Sequence, residues 1–239
     1  MQKLFISDLH LSEHYPRLVR GFLSLLQHYR TQKTDLYILG DWFNAWLSDS
    51  DPSDWLLPIV AELRLFTQTG NKVYFLAGNR DFVLGQSFLD RFDGKLLTEP
   101  TILQWDGYNI RLEHGDSLCT DDISYQRFKK IIRNPIILGT LKLLPFYLKR
   151  SLGNFFRKKS QQRQTQTHYQ PIDVNKSEVL HQMKNVDLLI HGHTHRPEVE
   201  DISDTKKRIV LGDWREDLGC AKVLVMRSPT DFNFLDWQF

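Results

Sequence analysis

The 239-residue sequence contains only two cysteines, Cys119 and Cys220. Two are too few for a framework of spaced disulfides or for a zinc site built on thiolates, and a reduced, cytosolic compartment is expected. No run of ~18 apolar residues occurs, so no membrane-spanning helix is expected. The most apolar stretch, Pro135 to Leu148, is broken by Lys142 and Pro145. No signal peptide is read at the start, where Met1–Ile6 has a short strand pattern. Internal repeats are lacking too. The sharpest local absence is of acids: from Ile123 to Ile172 there is no Asp or Glu, yet there are 11 Lys or Arg. Of 31 basic and 29 acidic residues in the chain, the remainder therefore holds 20 basic against 29 acidic, a net of −9. Such asymmetry points to an anionic partner for the middle segment.

Apolar patterning supplies the framework. Leu4–Ile6, Leu36–Leu39, Val73–Leu76, Asn109–Leu112 and Leu188–Ile190 read as strands, and Ile209–Leu211 and Lys222–Met226 read as strands closing the sheet. Leu18, Phe22, Leu25, Leu26 and Tyr29 recur at helical spacing. Trp55–Phe66 reads as a second helix stopped near Gly70, and Val174–Met183 as another, with Asp173 as its N-cap. Strands alternating with helices give an α/β layered domain. The acid-free stretch interrupts that rhythm. It divides the chain into a core of residues 1–122 and 171–239 and an inserted basic helical lid of residues 123–170.

Five short segments follow the strands: Asp8-Leu-His10, Gly40-Asp41, Gly78-Asn79-Arg80-Asp81, His114-Gly-Asp116 and Gly192-His193-Thr-His195. Carboxyl ends of strands are where sites gather in such sheets. Period-two alternation at a strand end would put Asp8 and His10 on one side, as chelation requires. Asp41 can bridge two ions through its two oxygens. Asn79 offers a carbonyl oxygen, and Arg80 a clamp for phosphoryl charge. Alone, Asp41 reads as a turn residue, Asn79 as part of a Gly-Asn turn and each His as structural. His191, which ends its strand, is read as structural. Together, Asp8, His10, Asp41, Asn79, His114, His193 and His195 are two carboxylates, an amide and four imidazoles. That donor set suits Mn²⁺, Fe²⁺ or Zn²⁺. Two such ions roughly 3.5–4 Å apart can activate water and clamp a phosphoryl oxygen.

In this order the five segments resemble those of the calcineurin-like metallophosphoesterases. Within that superfamily, Ile6–Leu11, Tyr37–Asp41, Gly78–Phe82, His114–Asp122 and Ile190–Pro197 are most similar to the UDP-2,3-diacylglucosamine pyrophosphatases of lipid A synthesis, and the similarity includes the insertion. The resemblance implies an α/β/β/α sandwich with an inserted helical lid. It implies two Mn²⁺ ions, one held by Asp8, His10, Asp41 and His195, the other by Asp41, Asn79, His114 and His193. It implies water attack on the α-phosphorus of UDP-2,3-diacylglucosamine, giving UMP and 2,3-diacylglucosamine 1-phosphate (lipid X). Arg80 and His195 would be catalytic, and Asn79, Arg80, Asp122, Ser160, Gln164, Thr167 and His193 would meet substrate. The family often has Asn and Lys where this chain has Gln164 and Thr167, and the Trp42–Ser48 loop also departs from the commoner version. A monomer at the cytoplasmic face of the bacterial inner membrane is implied, with the basic lid against an anionic leaflet.

The metal motifs alone leave open another metallophosphoesterase, such as a nucleotide phosphodiesterase or a phosphatase. A non-catalytic scaffold would be expected to have lost ligands, yet all seven positions and Arg80 are filled. No RNP-like or zinc-finger pattern accompanies the basic stretch, so no nucleic-acid partner is expected.

Overall fold

Alternation along the first strand sorts the core. In β1 (Gln2–Ile6), Leu4 and Ile6 point to one side and pack with Leu18, Phe22 and Leu25, whereas Phe5 points to the other side among residues of a second sheet. The helix supplying that first contact, α1 (Pro16–Tyr29), begins with Pro16, which has no N–H to satisfy. Its N-terminal N–H groups are held from a distance: the Glu216 carboxylate accepts from Arg17 N at 3.4 Å and Leu18 N at 2.9 Å.

The computed structural model describes residues 1–144, 148 and 173–239. β2 (Thr34–Leu39) and β3 (Lys72–Leu76) pair in parallel beside β1, followed by the short β4 (Lys95–Leu97). A 3-10 turn, Asp54–Leu56, leads into α2 (Leu57–Gln68). α3 (Gln86–Leu89) precedes β4, and β5 (Thr101–Trp105) and β6 (Tyr108–Leu112) form a hairpin. After α4 (Ile123–Ile132) and α5 (Pro135–Leu143), α6 (Lys176–Gln182) leads to β7 (Leu188–His191). The chain ends in β8 (Glu198–Ser203), β9 (Lys206–Val210), β10 (Trp214–Arg215), β11 (Cys220–Met226) and β12 (Phe232–Gln238).

These strands make two sheets. One runs β10-β11-β1-β2-β3-β4 with β12 also on β11; the other runs β5-β6-β7-β9-β8. Buried residues fall into three clusters: α1 and α2 on the first sheet, sheet on sheet, and α6 on the second. The layering is α/β/β/α, as the resemblance implies. Each fully buried Leu or Phe at these layers contributes roughly 1.5–3 kcal/mol.

Two local expectations change. Ile209–Val210 and Lys222–Met226 do not close one sheet: β9 lies in the second sheet and β11 in the first. Asp173 is not the cap of α6. Asn175 fills that role, its side chain accepting from Ser177 N at 2.9 Å and Glu178 N at 3.2 Å. Asp173 instead accepts from Val174 N and from the Arg196 guanidinium.

Candidate metal centre

The loops leaving β1, β2, β3, β6 and β7 meet at the carboxyl ends of the parallel strands. Their backbones are unusual. Asp8, His10, Asp41, His193 and His195 all have positive φ, between 51° and 71°. Asp, Asn and His tolerate this left-handed region better than most residues, and clusters of it mark functional sites. Asp8 and His10 therefore share a side not through strand alternation, since β1 ends at Ile6, but because each turns through a left-handed residue. Neighbouring backbone fixes these turns: Asp8 N donates to Gly40 O at 3.1 Å, and His10 N to Asp41 O at 3.0 Å. Glycine is required where the loops cross. A Cβ on Gly78 would stand 2.3 Å from Asp41 Oδ1, and one on Gly192 2.5 Å from Asp8 Oδ2.

All seven expected donors converge. On one side, His195 Nε2 lies 3.2 Å from Asp8 Oδ1 and 3.5 Å from His10 Nε2. On the other, Asn79 Oδ1 lies 2.9 Å from His114 Nε2 and 3.1 Å from His193 Nδ1. Asp41 stands between, its Oδ1 3.7 Å from His114 Nε2 and its Oδ2 4.0 Å from His10 Nδ1. Donor atoms of Asp8, His10 and His195 lie within 4.8 Å of one another, as do those of Asp8, Asp41 and His114.

The electrostatics call for cations. Asp8 and Asp41 are buried together. Burial raises the Asp41 pKa and the Asp8 charge adds to it, against His114 and Arg80. For Asp8, burial works in the same sense, but the His195 hydrogen bond and the charges of His114, His195 and His10 hold it far below the usual range. Without a metal, imidazolium supplies the positive charge. Despite burial, Asp41, Asp8, Asp116 and Glu99 push His114 up to about 9. His195 rises to about 10, against burial, through Asp213 and Asp8. Burial drops His10 to about 3 and His193 to about 4, so both rings are neutral and ready to ligate. His10 Nδ1 is buried with no hydrogen-bond partner, an orphan a ligated ion would satisfy. Oxygen and imidazole donors with an orphaned nitrogen fit divalent metal ions.

A surrounding layer, which the sequence does not announce, aims the donors. His114 Nδ1 donates to Leu39 O at 2.9 Å, turning Nε2 into the cluster. Asp213 Oδ2 sits 3.4 Å from His195 Nδ1 and does the same for that ring. Asp81, fully buried, accepts from Gly78 N at 2.8 Å and Trp42 N at 2.8 Å, joining two ligand loops. Neutral His191 accepts from Arg208 Nε at 3.2 Å and donates to Gly192 O, outside the donor cluster. The signal for Asp81 was in plain view inside Gly78-Asn79-Arg80-Asp81; nothing local marks Asp213.

The remaining expected residues divide. Arg80 stands at the rim, its Nε 3.5 Å from Asp41 Oδ2 and its Nη1 donating to Asn44 Oδ1 at 2.9 Å. Asp122 caps α4, accepting from Tyr125 N at 2.9 Å and the Ser124 hydroxyl at 2.8 Å. Ser160, Gln164 and Thr167 lie outside the described residues.

A family model for the calcineurin-like phosphoesterase matches residues 1–197. The chain belongs to that family. This phosphoesterase is 39% identical over 244 aligned positions, covering all of both chains, to a UDP-2,3-diacylglucosamine hydrolase of Pectobacterium carotovorum. It is 40% identical to one of Pseudomonas fluorescens, across 88% of this chain and 87% of that one. Among solved structures, a novel archaeal phosphodiesterase shares the fold, with a TM-score of 0.53 at 14% identity and 99% coverage of both chains. The phosphoesterase is a metal-dependent hydrolase. No helix among its described residues is long and apolar enough to cross a membrane.

Proposed function

We propose that this chain cleaves the pyrophosphate of UDP-2,3-diacylglucosamine by attack of water on the α-phosphorus, releasing UMP and lipid X. The observation that carries the reading is the end-to-end 39% identity with a UDP-2,3-diacylglucosamine hydrolase. The gathered donors supply its chemistry. Asp8, His10, Asp41 and His195 would hold one Mn²⁺, and Asp41, Asn79, His114 and His193 the other, Asp41 bridging. When bound, the two ions supply Lewis acidity toward water and toward phosphoryl oxygen.

The chain's own residues do the rest. Arg80, half-exposed at the rim and steadied by Asn44, presents its remaining N–H groups to the diphosphate. His195 is oriented by Asp213, and His193 by its own backbone N–H donating to Asp8 Oδ2 at 2.9 Å. Burial of both carboxylates excludes bulk water from the floor. Asn79, Asp122 and His193 line the approach to substrate. Ser160, Gln164 and Thr167 are assigned to it by resemblance alone.

Residues 123–170 serve as the lid, receiving the acyl chains and resting on an anionic membrane surface from the cytoplasmic side. Exposed Ile123, Ile131 and Ile136 on α4 and α5 support that role. The chain acts as a monomer. Turnover with Mn²⁺ and UDP-2,3-diacylglucosamine in ¹⁸O water tests the proposal. Label is expected in UMP; label in lipid X, or no hydrolysis, overturns it.

A further inference from the structure

α4 is amphipathic in reverse. None of its residues is buried, and Ile123 and Ile131 are exposed at 61% and 60%. The face it turns to the core is polar, at positions 125, 129 and 133, one helical stripe. Lys129 Nζ donates to Asp116 Oδ1 at 2.8 Å, and the Tyr125 hydroxyl donates to Asp116 Oδ2. Asp116 is fully buried.

Arg133, the C-terminal cap of α4, reaches further. Its Nη1 donates to Glu99 Oε2 at 2.9 Å and its Nη2 to Gly78 O at 2.9 Å. The other oxygen of Glu99 accepts from His114 N at 2.8 Å. One guanidinium thus grips the backbone before Asn79 directly and the backbone of His114 through a carboxylate. Those two donors face each other, His114 Nε2 to Asn79 Oδ1, at 2.9 Å.

Helices usually dock by burying an apolar stripe, which is indifferent to small shifts underneath. α4 docks by directional polar contacts, which fail unless the loops beneath hold one geometry. From this we infer that docking of α4 and loading of the Asn79–His114 half of the metal centre are coupled, with Arg133 as the positioning residue. The inference rests on the two-ion reading above. Coupling between two binding events is reciprocal. An ion that fixes Asn79 and His114 tightens α4, and a docked α4 tightens the ion.

Mn²⁺ titration of the metal-free full chain, followed by electron paramagnetic resonance, reads one direction; amide hydrogen exchange across residues 123–133 reads the other. In the unsubstituted chain two ions bind and Mn²⁺ slows exchange in α4. In Arg133→Met, affinity for one ion falls roughly 10–100-fold, the scale of a lost orienting partner. The other ion binds as before, and α4 exchange no longer responds to Mn²⁺. Arg127→Met, on the exposed side of the same helix, leaves both readouts unchanged. Glu99→Gln keeps an acceptor for His114 N but loses the charge paired with Arg133, and weakens the same ion to a lesser degree; it reports if Arg133→Met does not fold. Two ions at unaltered affinity in Arg133→Met, or α4 exchange indifferent to Mn²⁺ in the unsubstituted chain, overturns the coupling. Failure of the unsubstituted chain to bind Mn²⁺ at all overturns the metal reading itself, and the coupling with it.

Discussion

If His114 and His195 ligate metal as proposed, the metal must displace protons that both rings hold. Their pKa values, raised to about 9 and about 10 by Asp41 and Asp8 around one and Asp213 and Asp8 around the other, keep both rings charged at neutral pH in the metal-free chain. Ligation needs neutral imidazole, so metal uptake releases protons. Below pH 9 each displaced proton costs affinity; above pH 10 none does. His10 and His193, at about 3 and about 4, pose no such cost. Mn²⁺ affinity is therefore expected to climb by up to about tenfold per pH unit per proton between pH 6 and 9. Calorimetry in two buffers of different ionisation heat would count the protons, and a flat profile would contradict this account. The seven donors themselves were legible in sequence because each stands in a short motif after an apolar run. The reason they point together was not. Strand alternation predicts the right pair at Asp8 and His10, but left-handed backbone produces it. Asp213 and Glu99 were illegible because their partners, His195 and His114, lie 18 and 15 residues away, brought near only by the fold.

At the scale of elements, α4 shows how a charge-rich segment can mislead. Eleven cations without an acid read as a uniformly basic lid. Two of them, Lys129 and Arg133, are in fact spent on the buried Asp116 and the partly buried Glu99. Ile123, Ile131 and Ile136 face outward instead of packing on the core. Withdrawing an Ile from a lipid surface forfeits roughly 1.5–3 kcal/mol. Ile131→Asp with Ile136→Asp is thus expected to slow hydrolysis of a micellar lipid substrate by on the order of tenfold or more, while sparing a soluble phosphodiester. Equal losses on both would refute an acyl- or membrane-facing role. Buried parallel strands such as β2 and β7 were readable as apolar runs. Peripheral β8 and β12 were not, because Glu198–Ser203 and Phe232–Gln238 mix polar and apolar residues as loops do. β5 could have been found from Asp106-Gly107, a two-residue hairpin signal with both residues at positive φ.

Across the whole molecule, the donor cluster straddles a seam. Asp8, His10, Asp41 and Asn79 leave strands of the first sheet; His114, His193 and His195 leave strands of the second. Ions held there as proposed would tie the sheets together and favour the folded chain. At 100 times its Kd, one ion adds about 2.7 kcal/mol to stability, which for this size is roughly 5–10 °C in Tm. A melting curve with Mn²⁺, and its reversal by chelator, checks this; no shift would mean the ions do not bridge the seam.

The path of the chain between the sheets bears on its biosynthesis. By residue 195 every donor has been translated, yet β1 still lacks a neighbour on one side. That neighbour is β11, which pairs Lys3 with Met226 and Phe5 with Leu224. On the ribosome, the loop bearing Asp8 and His10 therefore hangs from an open edge until β11 emerges. A nascent chain can carry all seven donors of the cluster and still lack the frame that gathers them.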